Sequence, residues 1–444
     1  MNQIVVSAAD LLAIRTSLLE DGLERCAVLF TSEAAMRDGS VRLLVRDYLL
    51  IDDDDYISRD ALHATFKPAV VAQVTKRARN ESLSLIFAHS HTGPAAPHFS
   101  MTDDEGERHL AKFLGHRHPS RIHAALVLSE GGYRARVLGG KSEVIVVALG
   151  DTRKVLFAPD EYLDSVSDVF DRQIRAFGEG GQRAIEQLSI GVVGLGGTGS
   201  LIAEQLTHLG VKRFVLIDPD VLEATNLNRV VNATRDDIGE SKVTIAKRAI
   251  LAYAPAATVT AVQGDIIRST IAKELFEVDV IFGCTDSHGS RAILQQVSYQ
   301  YLIPCIDMGT TIIAKDAEVT GIFGRVQLLT PGRACFTCSG LLNSEEVRRD
   351  MLTAYERQLD PYIQGVREPA PAVISLNSTV ASMAVTMFMA LVTGLPVPGR
   401  YVNYNAKTFS VRAVDAASDP ECYICSRRGV RGRGDSAELF ARKD

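Results

Sequence analysis

Three groups of residues in this 444-residue chain have the types and spacing of working chemistry. The first is a glycine cluster. An apolar run, Ile190 to Val193, meets Gly194-Leu-Gly196-Gly197-Thr-Gly199. A helical pattern follows (Leu201, Ile202, Leu206, Leu209), then a second apolar run, Phe214 to Ile217, ending on Asp218. Strand, tight turn, helix and strand in that order make a βαβ unit that cradles phosphate. Gly194 and Gly196 permit the turn and a close backbone approach, Gly199 lets helix pack on strand, and the helix N-terminus offers free N–H groups to an anion. Asp218 falls 24 residues after Gly194, where an acid meets a ribose in such units. The glycines alone fit NAD as readily as ATP.

The second group is His89-Ser-His91 with Ser100 and Asp103 downstream. Two histidines at i, i+2 at the end of a predicted strand, Leu83–Ala88, point to one side, so both imidazoles can reach one metal. Asp103, at a predicted helix start, can supply a carboxylate. Three protein ligands leave a coordination position open, as in a catalytic zinc site, and Ser100 can donate to a developing oxyanion. The third group is two Cys-x-x-Cys pairs, Cys335/Cys338 and Cys422/Cys425, among seven cysteines. In a chain without an export signal such pairs read as a four-thiolate structural zinc rather than a disulfide framework.

The residues after Asp218 decide between NAD and ATP. Asn226, Arg229 and Lys242 place amide and cationic groups just past the nucleotide loop. Hydride transfer needs no such groups, whereas nucleotidyl transfer must neutralise the reacting α-phosphate and departing pyrophosphate.

The elements that must position these residues alternate along the chain. Residues 1–150 read as a first α/β domain, with a helix at Ala8–Leu19 and strands at Cys26–Phe30, Val41–Ile51, Leu83–Ala88, Ile122–Leu128, Tyr133–Leu138 and Val144–Ala148. Gly150–Glu161 reads as a linker and Tyr162–Phe177 as a helix. In 151–425, helices at Lys242–Tyr253 and Arg291–Tyr301 alternate with strands at Val259–Val262, Val278–Gly283 and Pro304–Met308. That rhythm implies a Rossmann-like, doubly wound, mostly parallel sheet. The apolar stretch Ala381–Val392 reads as a buried helix, too short to span a bilayer. Residues 426–444, rich in Arg and Gly, read as a disordered tail.

Two family resemblances attach to these residues. Residues 170–425 resemble the E1-like (ThiF/MoeB-type) adenylyltransferases. The resemblance implies that Asp218 binds ribose, that Asn226, Arg229 and Lys242 contact ATP phosphates and the acyl-phosphate centre, and that Asp286, in Gly283-Cys-Thr-Asp286, holds Mg2+. Arg291 completes that local match, and Ser287 stands where the family usually has Asn. Arg172, in Phe170-Asp-Arg172-Gln173, matches an arginine that reaches the partner subunit's ATP site, which implies a homodimer; Val169 replaces a second family arginine. Asn343–Arg367 corresponds to the crossover under which a carrier tail threads. His89, His91, Ser100 and Asp103 resemble the JAMM (JAB/MPN) metalloprotease motif, with Thr92 where the family usually has Pro. In that family a Glu ahead of a strand is the general base: Glu24 fits, with Glu33 as second candidate.

The expectation is a JAMM-type zinc domain fused to an E1-like domain, with ATP, Mg2+ and two Zn2+, one catalytic and one structural. Together they would process and adenylate a ubiquitin-like carrier protein ending in glycine. Sulfur-carrier activation and a catalytically silent, carrier-binding N-terminal domain are the alternatives. A thioester needs a reactive cysteine, and none lies between Cys338 and Cys422; Cys26, Cys284 and Cys305 fall in predicted strands. The adenylate would therefore pass to another protein, E2-like or sulfur-transferring. A net charge of −6 argues against a nucleic-acid partner, and the chain carries no recognisable leader or membrane span, so the cytoplasm is the expected compartment.

Overall fold

Runs rich in Val, Ile and Leu build two separate sheets, each the centre of its own unit. The computed structural model describes residues 1–159, 168–315, 318–359, 371–397 and 399–443. In the first unit β1 (Gln3–Ser7) leads into α1 (Ala8–Leu18), where the Ser7 hydroxyl accepts from the backbone N–H of Asp10. A hairpin, β2 (Cys26–Ala35) and β3 (Val41–Leu50), precedes the short pair β4 (Tyr56–Arg59) and β5 (Ala64–Phe66). Then come α2 (Pro68–Glu81), β6 (Ser84–Ser90), α3 (Met101–Arg117), β7 (Ala124–Ser129), β8 (Gly132–Val137), β9 (Ile145–Leu149) and β10 (Arg153–Phe157).

The strands form one mixed sheet in the order β10-β9-β1-β3-β2-β6-β7-β8. Alternation along β2 and β6 gives the sheet two dry faces. Ala27, Leu29, Ile86 and Ala88 pack with Leu11 and Ile14 of α1. Cys26, Val28, Phe30, Leu85 and Phe87 pack with Val70 and Val74 of α2 and Leu114 of α3. By the same alternation His89 faces the α3 side.

In the second unit α4 (Asp171–Glu186) precedes β11 (Ser189–Val193), α5 (Gly199–His208), β12 (Arg213–Asp218), α6 (Lys242–Tyr253) and β13 (Thr258–Gln263). The short α7 (Ser269–Ala272), β14 (Val280–Gly283), α8 (His288–Gln300), β15 (Cys305–Lys315), β16 (Glu318–Leu329), α9 (Ser344–Met351) and α10 (Ala354–Leu359) follow. α11 (Ile374–Thr393), β17 (Tyr401–Asn405) and β18 (Ser410–Ala413) complete it. The sheet runs β13-β12-β11-β14-β15-β16-β17-β18. Neighbours from β13 to β15 are parallel, and β16, β17 and β18 extend the sheet antiparallel. The fold is thus mixed α/β with a Rossmann-like C-terminal part. α11 is long and apolar enough to cross a bilayer by length and composition. Here it buries Val380, Ala384, Phe388 and Leu391 in the core shared with α5 and β11.

Two expectations change. The expected linker Gly150–Glu161 contains β10, which pairs antiparallel with β9 because Val155, Leu156 and Phe157 extend an apolar sheet edge; Asp160 and Glu161 lie outside the described residues. Likewise residues 162–167 of the expected helix Tyr162–Phe177 lie outside them, and α4 begins at Asp171.

The tail read as disordered is ordered up to Lys443. Residues Arg427–Glu438 belong to the first unit. Their arginines are not a solvated basic run, because a buried acid collects them: Asp10, 5% exposed on α1, pairs with Arg427 and, at 3.1 Å, with Arg431. Further on, Asp435 accepts from the Ala35 backbone at 2.8 Å and Val430 is buried. Asp10→Asn would remove the buried charge that Arg427 and Arg431 share. Because Arg427 is half in solvent, the expected cost is roughly 2–3 kcal/mol, below that of a fully buried pair. The urea midpoint of the first unit's transition reads this directly.

Candidate active sites

In the first unit, register brings the expected residues together. Antiparallel pairing of β2 and β6 sets Cys26 opposite His89. It continues through Arg25 and Ser90, whose backbone N–H groups donate to the Ser90 hydroxyl and the Arg25 carbonyl, each at 3.0 Å. Two residues before Cys26 therefore meet two residues after His89, and Glu24 lies 3.7 Å from His91 Nε2. Asp103 arrives from the first turn of α3. Ser100 caps that helix: its Oγ accepts from Asp103 N and donates to Asp103 Oδ2, which also takes Ser100 N.

His89 Nε2 stands 3.2 Å from His91 Nε2 and 3.2 Å from Asp103 Oδ1, and His91 Nε2 is 3.5 Å from Asp103 Oδ2. Ligand atoms around a tetrahedral zinc stand roughly 3.3 Å apart, so this triad fits that ion. Burial pushes the Asp103 carboxyl up, but hydrogen bonds from His89 and His91 outweigh it and hold the carboxyl well below the usual range. Glu24 is 6% exposed, and burial raises its carboxyl against the opposing pull of both histidines. A cleft of about 630 Å3, walled by Phe66, Val71, Phe87, Leu110 and Phe113, opens onto His89, Asp103 and Glu24.

Two expectations shift here. Ser100 Oγ is engaged with Asp103, so in this state it orients a ligand rather than standing free for an oxyanion. Glu33 is remote from the triad: it accepts from Ser84, Arg121 and the Ile122 backbone.

In the second unit the glycine loop joins β11 to α5 at the C-terminal ends of the parallel strands. Gly194 has φ +88°, and a Cβ there would meet the Cys284 carbonyl at 2.6 Å. A Cβ on Gly199 would sit 1.7 Å from the Gly194 carbonyl oxygen, so loop and helix close only without a side chain there. Gly196 has open space where a Cβ would be, and Gly197 is crossed by the Arg229 side chain at 3.2 Å. No side chain caps α5; of its first N–H groups, that of Ser200 donates to the Gly196 carbonyl at 3.1 Å.

Asp218 ends β12 and is 4% exposed. Its carboxylate accepts from Leu195 N at 2.5 Å and Asp220 N at 2.8 Å, tying strand to loop. Burial pushes that carboxyl up, with Lys242 opposing. Lys242 Nζ is paired with Asp220 at 2.7 Å. Asn226 is buried in a 3-10 turn, with its Oδ1 accepting from Glu223 N at 3.4 Å. Arg229 donates to the Thr225 carbonyl at 2.7 Å. Asp286 is exposed beyond β14. Arg172 is exposed on the first turn of α4 and makes no hydrogen bond or ion pair with the described residues. The loop, Asp218 and Arg229 thus converge, while Arg172 stands apart.

The sequence profile of the ThiF family matches residues 170–424, more than half of the chain. The chain belongs to the ThiF family. Its second unit is an E1-like adenylyltransferase domain. The molybdopterin-synthase adenylyltransferase of Escherichia coli K12 is 27% identical over 260 residues, spanning 58% of this chain and 96% of that protein. The sulfur carrier protein ThiS adenylyltransferase of the same strain is 28% identical over 170 residues, 38% of this chain and 64% of that protein. Ubiquitin-like modifier-activating enzyme 5 of Oryza sativa subsp. japonica is 31% identical over 169 residues, 35% and 38%. The chain therefore spans nearly all of the first relative but less than two thirds of the other two.

The ThiF-type unit holds its four paired cysteines together. Cys335 and Cys422 Sγ lie 3.6 Å apart, as do Cys338 and Cys425 Sγ, and all four sulfurs fall within 4.8 Å of one another. Sulfurs around a tetrahedral zinc stand roughly 3.8 Å apart, so the set fits that ion. Backbone N–H groups of Asp419 and Ile424 point at Cys338 and Cys422 sulfur, each at 3.4 Å, and such donors favour the thiolate form. Cys422→Ser is expected to lower zinc content by one ion per chain and to weaken the ThiF-type unit. Elemental analysis with a thermal melt checks both.

Sequence pattern does not single out two features of the ThiF-type site. Asp307 of β15, fully buried, accepts from Arg291 Nε at 3.3 Å and from Arg325. Arg291 also donates to the Thr285 carbonyl at 2.7 Å, so the ion cluster braces the loop that carries Asp286. An acid inside the apolar run Pro304–Met308 was the available signal. The other feature is Asn377, whose Nδ2 a Cβ on Gly197 would meet at 2.3 Å.

Proposed function

We propose that the ThiF-type unit adenylates the C-terminal glycine of a ubiquitin-like or sulfur-carrier protein, and that the first unit is a JAMM-type zinc hydrolase acting on the same carrier. The observation that carries the first half is the ThiF match combined with Arg229 lying across the glycine loop. A carrier carboxylate oxygen attacks the α-phosphorus of ATP; that P–O bond forms as the bond to pyrophosphate breaks. Asp218 holds the ribose and the α5 N-terminus a phosphate. Asn226, Arg229 and Lys242 face the developing charge, Lys242 exchanging Asp220 for phosphate. Asp286, exposed near the loop, would hold Mg2+, which supplies positive charge against the developing phosphate charge. Arg172 would serve the site of a second copy, which makes the active form a homodimer.

The observation that carries the second half is the convergence of Glu24, His89, His91 and Asp103 beside an apolar cleft. His89, His91 and Asp103 would hold Zn2+, which supplies Lewis acidity toward a scissile carbonyl. Glu24 would take the proton of the attacking water and return it to the leaving amine. Ser100 orients Asp103, and the cleft receives apolar side chains of the carrier tail.

All seven cysteines are accounted for: four in the zinc set, Cys26 and Cys305 buried, and Cys284 half-buried. Burial raises the Cys26 thiol to about 12 and pushes the Cys284 and Cys305 thiols well above the usual range. No thiol here is poised for a thioester. This supports handing the adenylate to another protein, and it favours a sulfur-transfer route over E1-style conjugation on this chain. ATP–pyrophosphate exchange with purified glycine-ended carriers tests adenylation; exchange with none of them rejects it. Carrier fusions extended beyond the glycine test cleavage. Uncut fusions with a zinc-free triad would leave the first unit a carrier-binding scaffold.

A further inference from the structure

Asn377 lies in the first turn of α11 and is 3% exposed. Its Oδ1 accepts from Thr310 Oγ1 on β15 at 3.1 Å, which fixes the orientation of the amide. Nδ2 then faces the glycine loop, and a Cβ on Gly197 would stand only 2.3 Å from it. This nitrogen has no hydrogen-bond partner among the described residues. Held this way, the amide offers its N–H groups to something outside the described residues.

The sheet order locates what that something is. Asp218 ends β12, on one side of β11, whereas Thr310 and Asn377 lie on the other side, beyond β14. With ribose at Asp218 and phosphate over the loop, the Asn377 side is left for the acyl group. We infer that Asn377 Nδ2 donates to the carboxylate oxygen of the chain being activated, and to the acyl carbonyl once the adenylate has formed. Asn377 is then a substrate-contacting residue of the adenylation site, and Thr310 positions it.

This rests on adenylation of an acyl carboxylate by the ThiF-type unit. Calorimetry on the full chain would compare AMP with glycyl-sulfamoyladenosine, an unreactive mimic of glycyl adenylate. Wild type is expected to prefer the acyl mimic. Asn377→Leu should cut that preference about tenfold, as loss of one hydrogen bond to a polar ligand does, with AMP affinity held within about twofold. Thr310→Val, which frees the amide to rotate, should cut it less, about threefold. An unchanged preference in Asn377→Leu overturns the inference, and so does a parallel loss for AMP, which would mark a residue that only supports the loop. If Asn377→Leu does not fold, an unchanged preference in Thr310→Val overturns it. Wild type binding AMP without preferring the acyl mimic overturns it alone, whereas wild type binding neither compound overturns the adenylation reading with it.

Discussion

Gly199→Ala is expected to abolish nucleotide binding by the ThiF-type unit, while Gly196→Ala leaves the fold intact. The contrast comes from the space at the two positions. At Gly199 the added carbon would lie 1.7 Å from the Gly194 carbonyl oxygen, about half a normal contact, so the loop or the first turn of α5 must retreat by well over 1 Å. The N–H groups that face the phosphate move with it. Misplacement on that scale costs about a hundredfold or more in a reaction that depends on alignment. At Gly196 nothing lies within 4 Å of the added carbon, so the melt should be unchanged. Any loss of ATP affinity there measures how closely the ligand approaches the backbone. Nucleotide titration and thermal melts of the two variants read both effects. Near-wild-type ATP affinity in Gly199→Ala would mean the nucleotide lies elsewhere.

The glycine loop was legible because its constraint is local: strand, turn and helix are contiguous, and Gly194 and Gly199 answer contacts within a few residues or at the end of the adjacent strand. The parallel part of the second sheet was legible for a similar reason, since each strand–helix alternation has its own period. The antiparallel extension β16–β18 was not, because its strands mix polar and apolar residues and pair through long-range register. Asp307 shows the same limit. Its isolation in an apolar run is visible in sequence, but Arg325 reaches it only because β16 returns antiparallel, setting Gly309 opposite Arg325. Glu24 and His91 are 67 positions apart, and local pattern could not join them; the family resemblance proposed the pair, and the Cys26–His89 register accounts for it. The Arg-rich tail failed in the opposite direction. Composition read it as disordered because charge without apolar bulk rarely buys order, but composition does not see Asp10 waiting on α1.

Glu24→Gln is expected to separate metal binding from hydrolysis in the first unit. Glu24 approaches His91 at 3.7 Å but is not one of the three groups whose ligand atoms cluster, so the variant should retain its zinc. The glutamine side chain keeps the shape of the site but cannot accept and return a proton. Cleavage of a carrier fusion should fall by about 10²–10⁴-fold, the range for removing a general base. His89→Ala removes a ligand instead, and zinc content and cleavage should fall together. Because the structural ion belongs to the cysteine set, His89→Ala should retain one zinc and Glu24→Gln two. ATP–pyrophosphate exchange should be unchanged in both, since neither residue belongs to the ThiF-type unit. A Glu24→Gln protein that cuts at the wild-type rate would remove the proton-transfer role from Glu24. A His89→Ala protein that holds as much zinc as wild type would show that the triad is not a metal site.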